Sequence, residues 1–234
     1  MSKKIYLSPS NQTQNPYAAG NTTEDVQCGR IAAACKTALE RCGFEVKVGQ
    51  YDTMANRCSA SDSWGADLHV PIHTNAYNGK VSGTRIICYS LSGAGYTASK
   101  AVFNALAPIT PGTSENISAN PSLYEIKHPS APTVYIEAEF HDVPSVATWI
   151  INNVVAIGEA ICKGICNYFG VEYKTDEPTP EPTPTPTTKT VKLKDADVFA
   201  APPVMTNVTG TFTIVEESGS YGKLKSGAGW VKMP

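Results

Sequence analysis

Asp67-Leu-His-Val-Pro-Ile-His-Thr-Asn-Ala76 decides the fold. His69 and His73 lie four apart, which on a helix would place them on one face, but the Val-Pro-Ile between them favours a strand. On a strand His69, Pro71 and His73 share one side, and His73 sits where the strand runs out into the turn-rich Thr74-Asn-Ala-Tyr-Asn-Gly79. His69, further back, reads as a hydrogen-bonded core histidine.

Strand and helix alternate on both sides of this segment. Lys4-Ile-Tyr-Leu7 reads as a first strand, Glu24 to Cys42 as a helix closed by Gly43, and Phe44 to Val48 as a second strand. A polar helical segment then leads into the central strand. Thr84 to Tyr89 follows as a strand, Tyr96 to Leu106 as a helix, and Thr133-Val-Tyr-Ile-Glu-Ala-Glu-Phe140 as a strand. From Pro144, the positions Val146, Ile150, Val154, Ile157, Ile161 and Ile165 predict one long closing helix ending near Gly170. The alternation predicts an α/β domain, a largely parallel twisted sheet flanked by helices, with ligands at the carboxyl ends of its strands.

The segment 175–188, TDEPTPEPTPTPTT, holds five prolines in fourteen residues and no large apolar side chain. It reads as a polyproline spacer, dividing the chain into a catalytic domain at 1–174, a linker at 175–188 and a further domain at 189–234. The last part shows short strands punctuated by Gly, Pro and Asn, the pattern of a small all-β barrel.

Over the 234 residues the formal charge is 19 − 21 = −2, so bulk charge argues against a nucleic-acid or anionic-membrane partner. No run approaches the roughly 18 apolar residues of a membrane span, and the first residues lack the apolar core of a signal peptide. The expectation is a chain made in the cytoplasm. Seven cysteines, an odd number, are expected as buried reduced thiols; Cys28, Cys35 and Cys42 recur at a helix-face spacing, and Cys162 and Cys166 lie i, i+4.

The chemistry concentrates in few residues. There are four histidines: His69, His73, His128 and His141. Carboxylates in the apolar run Thr133 to Phe140 are costly unless paired or bound to metal. By strand alternation Glu137, Glu139 and His141 are expected on one face. Glutamate and histidine near strand ends suit a zinc hydrolase, with salt bridges on a half-exposed strand as the other reading.

Three blocks carry a family resemblance: Gly20-Asn-Thr-Thr-Glu24 opening the first helix, Val70-Pro-Ile-His73-Thr-Asn-Ala76, and Ile136-Glu-Ala-Glu-Phe140. Together they resemble the zinc-dependent N-acetylmuramoyl-L-alanine amidases of the type 3 family over about residues 3 to 170. The resemblance implies cleavage of the amide between N-acetylmuramic acid and L-alanine in peptidoglycan, with Zn²⁺ as cofactor, Glu24 and His73 as zinc ligands and Glu137 as the catalytic carboxylate. The tail, with Asp197-Val-Phe-Ala-Ala-Pro-Pro203 and Gly229-Trp-Val231, resembles a bacterial SH3-type wall-binding domain, so the whole looks like a phage endolysin acting at the bacterial cell wall.

One departure stands out. The family places a histidine ligand after the first strand, where this chain has Ser8-Pro-Ser-Asn-Gln12. Alternation makes His141 the expected third ligand, with the Asn11 region and His128 as alternatives. A metal-free wall-binding protein that keeps the amidase fold is the competing function, and a cysteine peptidase a third.

Overall fold

In a computed structural model, the described residues are 2–175, 189–199, 204–218, 221–224 and 230–232. They form two compact units, Met1–Asp176 and Glu177–Pro234. Of the segment 175–188 expected as a linker, residues 176–188 lie outside the described residues.

The first unit contains the strands β1 (Lys4–Pro9), β2 (Glu45–Val48), β3 (Leu68–Asn75), β4 (Arg85–Cys88), β5 (Asn116–Ala119) and β6 (Tyr135–Phe140). Its helices are α1 (Glu24–Arg41), α2 (Met54–Trp64), α3 (Gly93–Leu106), α4 (Tyr124–Lys127), α5 (Pro144–Asn152) and α6 (Val154–Phe169). The six-stranded sheet runs β2-β1-β3-β6-β4-β5. All neighbours are parallel except β4, which runs antiparallel to β6. The α/β expectation therefore holds, with one reversed pairing in the middle of the sheet.

One sheet face is apolar without interruption. Ile5, Leu7, Leu68, Val70, Ile72, Ile86, Val134 and Ile136 are fully buried and pack with α1, α3 and α6. Burying such side chains contributes about 1.5–3 kcal/mol each, which fixes the register because a one-residue slip would turn them all outward. Helix α6 wedges between α1 and α3 through Gly158 and Gly164: a Cβ would lie 2.7 Å from the backbone N of Cys35 and 2.4 Å from the Cα of Val102.

The other face is polar and only partly covered. Beneath α2 and α4, the fully buried His69 lies with Ser8 of β1, Arg57 of α2 and Glu125 of α4. The expectation of a core histidine for His69 is met, and its ring also stacks on Tyr6 at 5.4 Å. Pro71 offers no N–H to the neighbouring strand, and the β3–β6 pairing starts only at Ile72, preceded by an isolated bridge between His69 and Thr133.

The single closing helix is corrected to two. α5 and α6 meet at 74°. At the joint, the Asn153 carboxamide donates to the carbonyl of Trp149 at 2.7 Å, a side-chain bond that competes with the helical ladder. The apolar periodicity continues through the break because both helices bury the same stripe against one core. Among the described residues no single helix is long and apolar enough to cross a membrane. All seven cysteines are buried and unpaired by disulfides, as expected.

The second unit has β7 (Lys189–Phe199), β8 (Val204–Ser218), β9 (Tyr221–Leu224) and β10 (Trp230–Lys232), all antiparallel. Pairings run β10-β7-β8-β9 and return from β9 to β10. Ile214, Leu224 and Val231 are buried.

Candidate active site

Paired positions on neighbouring strands share a sheet face. The register sets His73 of β3 beside Glu137 of β6, Glu137 beside Arg85 of β4, and Arg85 beside Asn116 of β5. This row crosses the polar face just beyond the part that α2 and α4 cover. At one end it reaches Glu24, the first residue of α1, a position where the helix dipole favours a carboxylate.

Glu24 and His73 are held together. His73 Nδ1 lies 2.9 Å from Glu24 Oε1, and both side chains are buried. Asn15 donates to the other Glu24 oxygen at 2.7 Å and to Gln12 Oε1 at 2.9 Å, while the Gln12 carboxamide nitrogen lies 3.5 Å from His73 Nδ1. The segment after β1, which lacks the family's histidine, thus enters the site through an amide. Tyr135 stacks on the His73 ring at 4.7 Å and fixes its plane. Burial alone would raise the Glu24 carboxyl, yet hydrogen bonds from His73, Asn15 and Ser10 hold it below the ordinary glutamate value.

Glu137 is different. Loss of hydration pushes its carboxyl up to about 7; His73 acts against that shift and the Glu24 charge adds to it. Glu137 Oε2 and His73 Nε2 are both buried with no hydrogen-bond partner. Orphaned polar atoms are costly as they stand, and the water of a cation held beside Glu24 and His73 would satisfy the Glu137 oxygen. The donor types, imidazole and carboxylate, suit Zn²⁺. The residues therefore fit a metal centre.

The shared face expected for Glu137, Glu139 and His141 is corrected. Between the pairings His73 with Glu137 and Asn75 with Phe140, β3 advances two residues and β6 three. This bulge reverses the alternation after Glu137. Glu139, fully buried, accepts from the backbone N–H groups of Gly83 at 2.7 Å and Gly112 at 2.8 Å, so it clamps two loops. His141 falls on the side of Thr74, with Nδ1 2.9 Å from the Thr74 hydroxyl and its ring stacked on Tyr17 at 4.9 Å. The compact groupings of potential ligand side chains among the described residues are Cys58–His69–Glu125 and Cys42–Cys162–Cys166, and neither includes His141. In the first of these, the Arg57 guanidinium 2.8 Å from Glu125 already neutralises the carboxylate. His128 is exposed at the end of α4, stacked on Tyr124.

A groove of about 390 Å³ continues the row away from Glu24, lined by Asn75, Tyr77, Arg85, Asn116 and Phe140. It gives an extended substrate somewhere to lie. Cys28 contacts the site from the core, and burial together with the Glu24 and Glu137 charges raises its thiol far above the ordinary range. A thiolate nucleophile is therefore disfavoured.

A family model described as N-acetylmuramoyl-L-alanine amidase matches residues 5–167. The chain belongs to this amidase family. Membership supports peptidoglycan amidase activity. Solved structures with the same fold include the amidase AmiC2 of Nostoc punctiforme, 17% identical over 72% of this chain and 97% of that one, with a TM-score of 0.65. The catalytic domain of the amidase CwlV from Bacillus (Paenibacillus) polymyxa var. colistinus is 15% identical over 72% of this chain and 99% of its own, with a TM-score of 0.64. The catalytic domain of the CD27L endolysin targeting Clostridia difficile is 18% identical over 70% and 97%, with a TM-score of 0.62. No curated protein matches the chain.

Proposed function

We propose that the first unit is a zinc-dependent amidase that hydrolyses the bond between the lactyl group of N-acetylmuramic acid and the L-alanine of the stem peptide. The observation that carries this reading is the row in which the ligand pair Glu24–His73 stands beside an unpartnered carboxylate, Glu137, at the head of an open groove. Glu24 and His73 would hold the ion, with the Gln12 carboxamide as neighbour. When bound, Zn²⁺ supplies Lewis acidity that polarises the scissile carbonyl and acidifies water. Glu137, with its proton affinity raised toward neutrality, takes the proton of the attacking water and returns it to the amine of L-alanine as the C–N bond breaks. Tyr135, stacked on the His73 ring, keeps the imidazole in one orientation.

His73→Ala is expected to leave the chain folded while zinc content falls by about one equivalent relative to the parent, read by elemental analysis. His141→Ala is expected to retain the metal, because the bulge after Glu137 puts its ring on the side of Thr74 and Tyr17. Loss of metal in His141→Ala with retention in His73→Ala would overturn the ligand assignment. One observation favours a second reading, a wall-binding protein without catalysis: an amide, a weak ligand, stands where a third imidazole would be expected. A preparation that takes up no zinc and releases no N-terminal L-alanine would decide for that reading.

The second unit is proposed as an SH3-like wall anchor, and the whole chain as a phage endolysin. The closed strand pairing, the Pro/Thr spacer and the likeness of the first unit to an endolysin catalytic domain support this. Residues 1–174 alone are expected to cleave soluble muropeptides at the rate of the full chain, yet to sediment with intact walls several-fold less; equal sedimentation would remove the anchoring role.

A further inference from the structure

Three thiols converge at the far end of α1 from Glu24. Cys42 caps the helix, eighteen residues along, so about 27 Å separate the two ends at 1.5 Å per residue. Cys162 and Cys166, one turn apart on α6, face it. The Sγ atoms of Cys162 and Cys42 are 3.8 Å apart, those of Cys162 and Cys166 are 3.9 Å apart, and all three lie within 4.8 Å of one another. All three side chains are buried. Thiolates bound to one ion at about 2.3 Å in tetrahedral directions would be about 3.8 Å apart, the spacing Cys162 already has to Cys42 and to Cys166.

The main chain of Lys174 faces the cluster: the Cys42 thiol donates to its carbonyl at 3.8 Å. The backbone N–H of Lys174 donates to Cys42 Sγ at 3.3 Å, and Arg41 lies next in sequence. Buried thiols packed only as apolar groups need no donor directed at them. Three sulfur donors without a carboxylate or imidazole select soft ions over hard ones.

From these contacts we infer that Cys42, Cys162 and Cys166 form a tris-thiolate site for a single thiophilic d¹⁰ cation, Cu⁺ or Zn²⁺, separate from the amidase centre. Binding replaces each S–H by a metal–sulfur bond and releases the protons to solvent. The ion would tie the end of α1 to α6 and to the residues following α6, where Lys174 approaches Cys42. The site would stabilise the unit and take no part in hydrolysis.

The test uses the full chain, reduced, with His73→Ala to silence the amidase centre. Cd²⁺ stands in for Zn²⁺ in one titration and Cu⁺ is used in another. Saturation at one equivalent is expected, with sulfur-to-metal charge-transfer absorption, three sulfur neighbours by X-ray absorption, and a higher melting temperature. The ion that binds at the lower concentration identifies the natural class. Cys162→Ser should weaken binding at least tenfold, whereas Cys35→Ser, a buried thiol elsewhere on α1, should leave it unchanged. Absence of charge transfer in the folded chain overturns the site, as does undiminished binding in Cys162→Ser or a Cys42–Cys162 disulfide in the reduced preparation. Should Cys162→Ser fail to fold, the sulfur count on the parent chain decides alone.

Discussion

Glu137→Gln is expected to lower the rate of L-alanine release by about a hundredfold to ten-thousandfold, the range for removing a positioned general acid–base group. Glutamine has nearly the same shape and cannot exchange a proton in the required step. The substitution separates chemistry from folding because Glu137 supports little of the structure. Its Oε2 has no partner, and its carboxyl is raised to about 7 by lost hydration, so ionisation at that position opposes folding. The variant should therefore melt no lower than the parent, keep its metal and still bind wall fragments. A rate within tenfold of the parent would assign proton transfer elsewhere; unchanged metal and melting temperature with lost activity would fix the role of Glu137.

The largest effect on stability is expected on the same sheet face, under α2 and α4. Glu125→Ala should cost about 3–5 kcal/mol, the usual loss when one member of a buried ion pair is removed. Arg57 and His69 would be left buried without the carboxylate they face at 2.8 and 3.3 Å. Against a total of about 5–15 kcal/mol for an ordinary domain, that is a large share. Urea unfolding measures it, and a loss under 1 kcal/mol would show the network to be dispensable. The pH dependence has a definite sign. Burial alone would raise the Glu125 carboxyl, but His69, Ser8 and Arg57 more than offset it and hold the group below the ordinary value. A depressed folded-state value contributes stability above the ordinary carboxylate range, and that contribution is lost as pH falls through the folded value. The parent should lose stability on acidification below about pH 4.3, the ordinary glutamate value, more steeply than Glu125→Gln does.

Much of the row at the candidate site is legible in the sequence. His73 and Glu137 occur in short apolar runs that can only be strands, and Glu24 opens a helix with clear periodicity. What went astray followed from one added residue. The bulge in β6 cannot be read from Tyr-Ile-Glu-Ala-Glu-Phe, because strand alternation assumes a constant period, and the reversal carried Glu139 to a loop clamp and His141 to Thr74. Glu125 gave no signal, since its four-residue helix is too short for periodicity and its partners are 56 or more residues away in sequence. The region of Gln12 was legible as the place where the family's histidine is wanting and as an alternative, weaker ligand.

Local order therefore determined the class of fold, the spacer and the residue types available for chemistry, because apolar periodicity, prolines and scarce histidines act within a few residues of themselves. Tertiary structure alone decided which of those residues meet. Strand register, the bulge after Glu137 and the break at Asn153 arise from competition among hydrogen bonds and packing across the sheet, and those partners are distant in sequence.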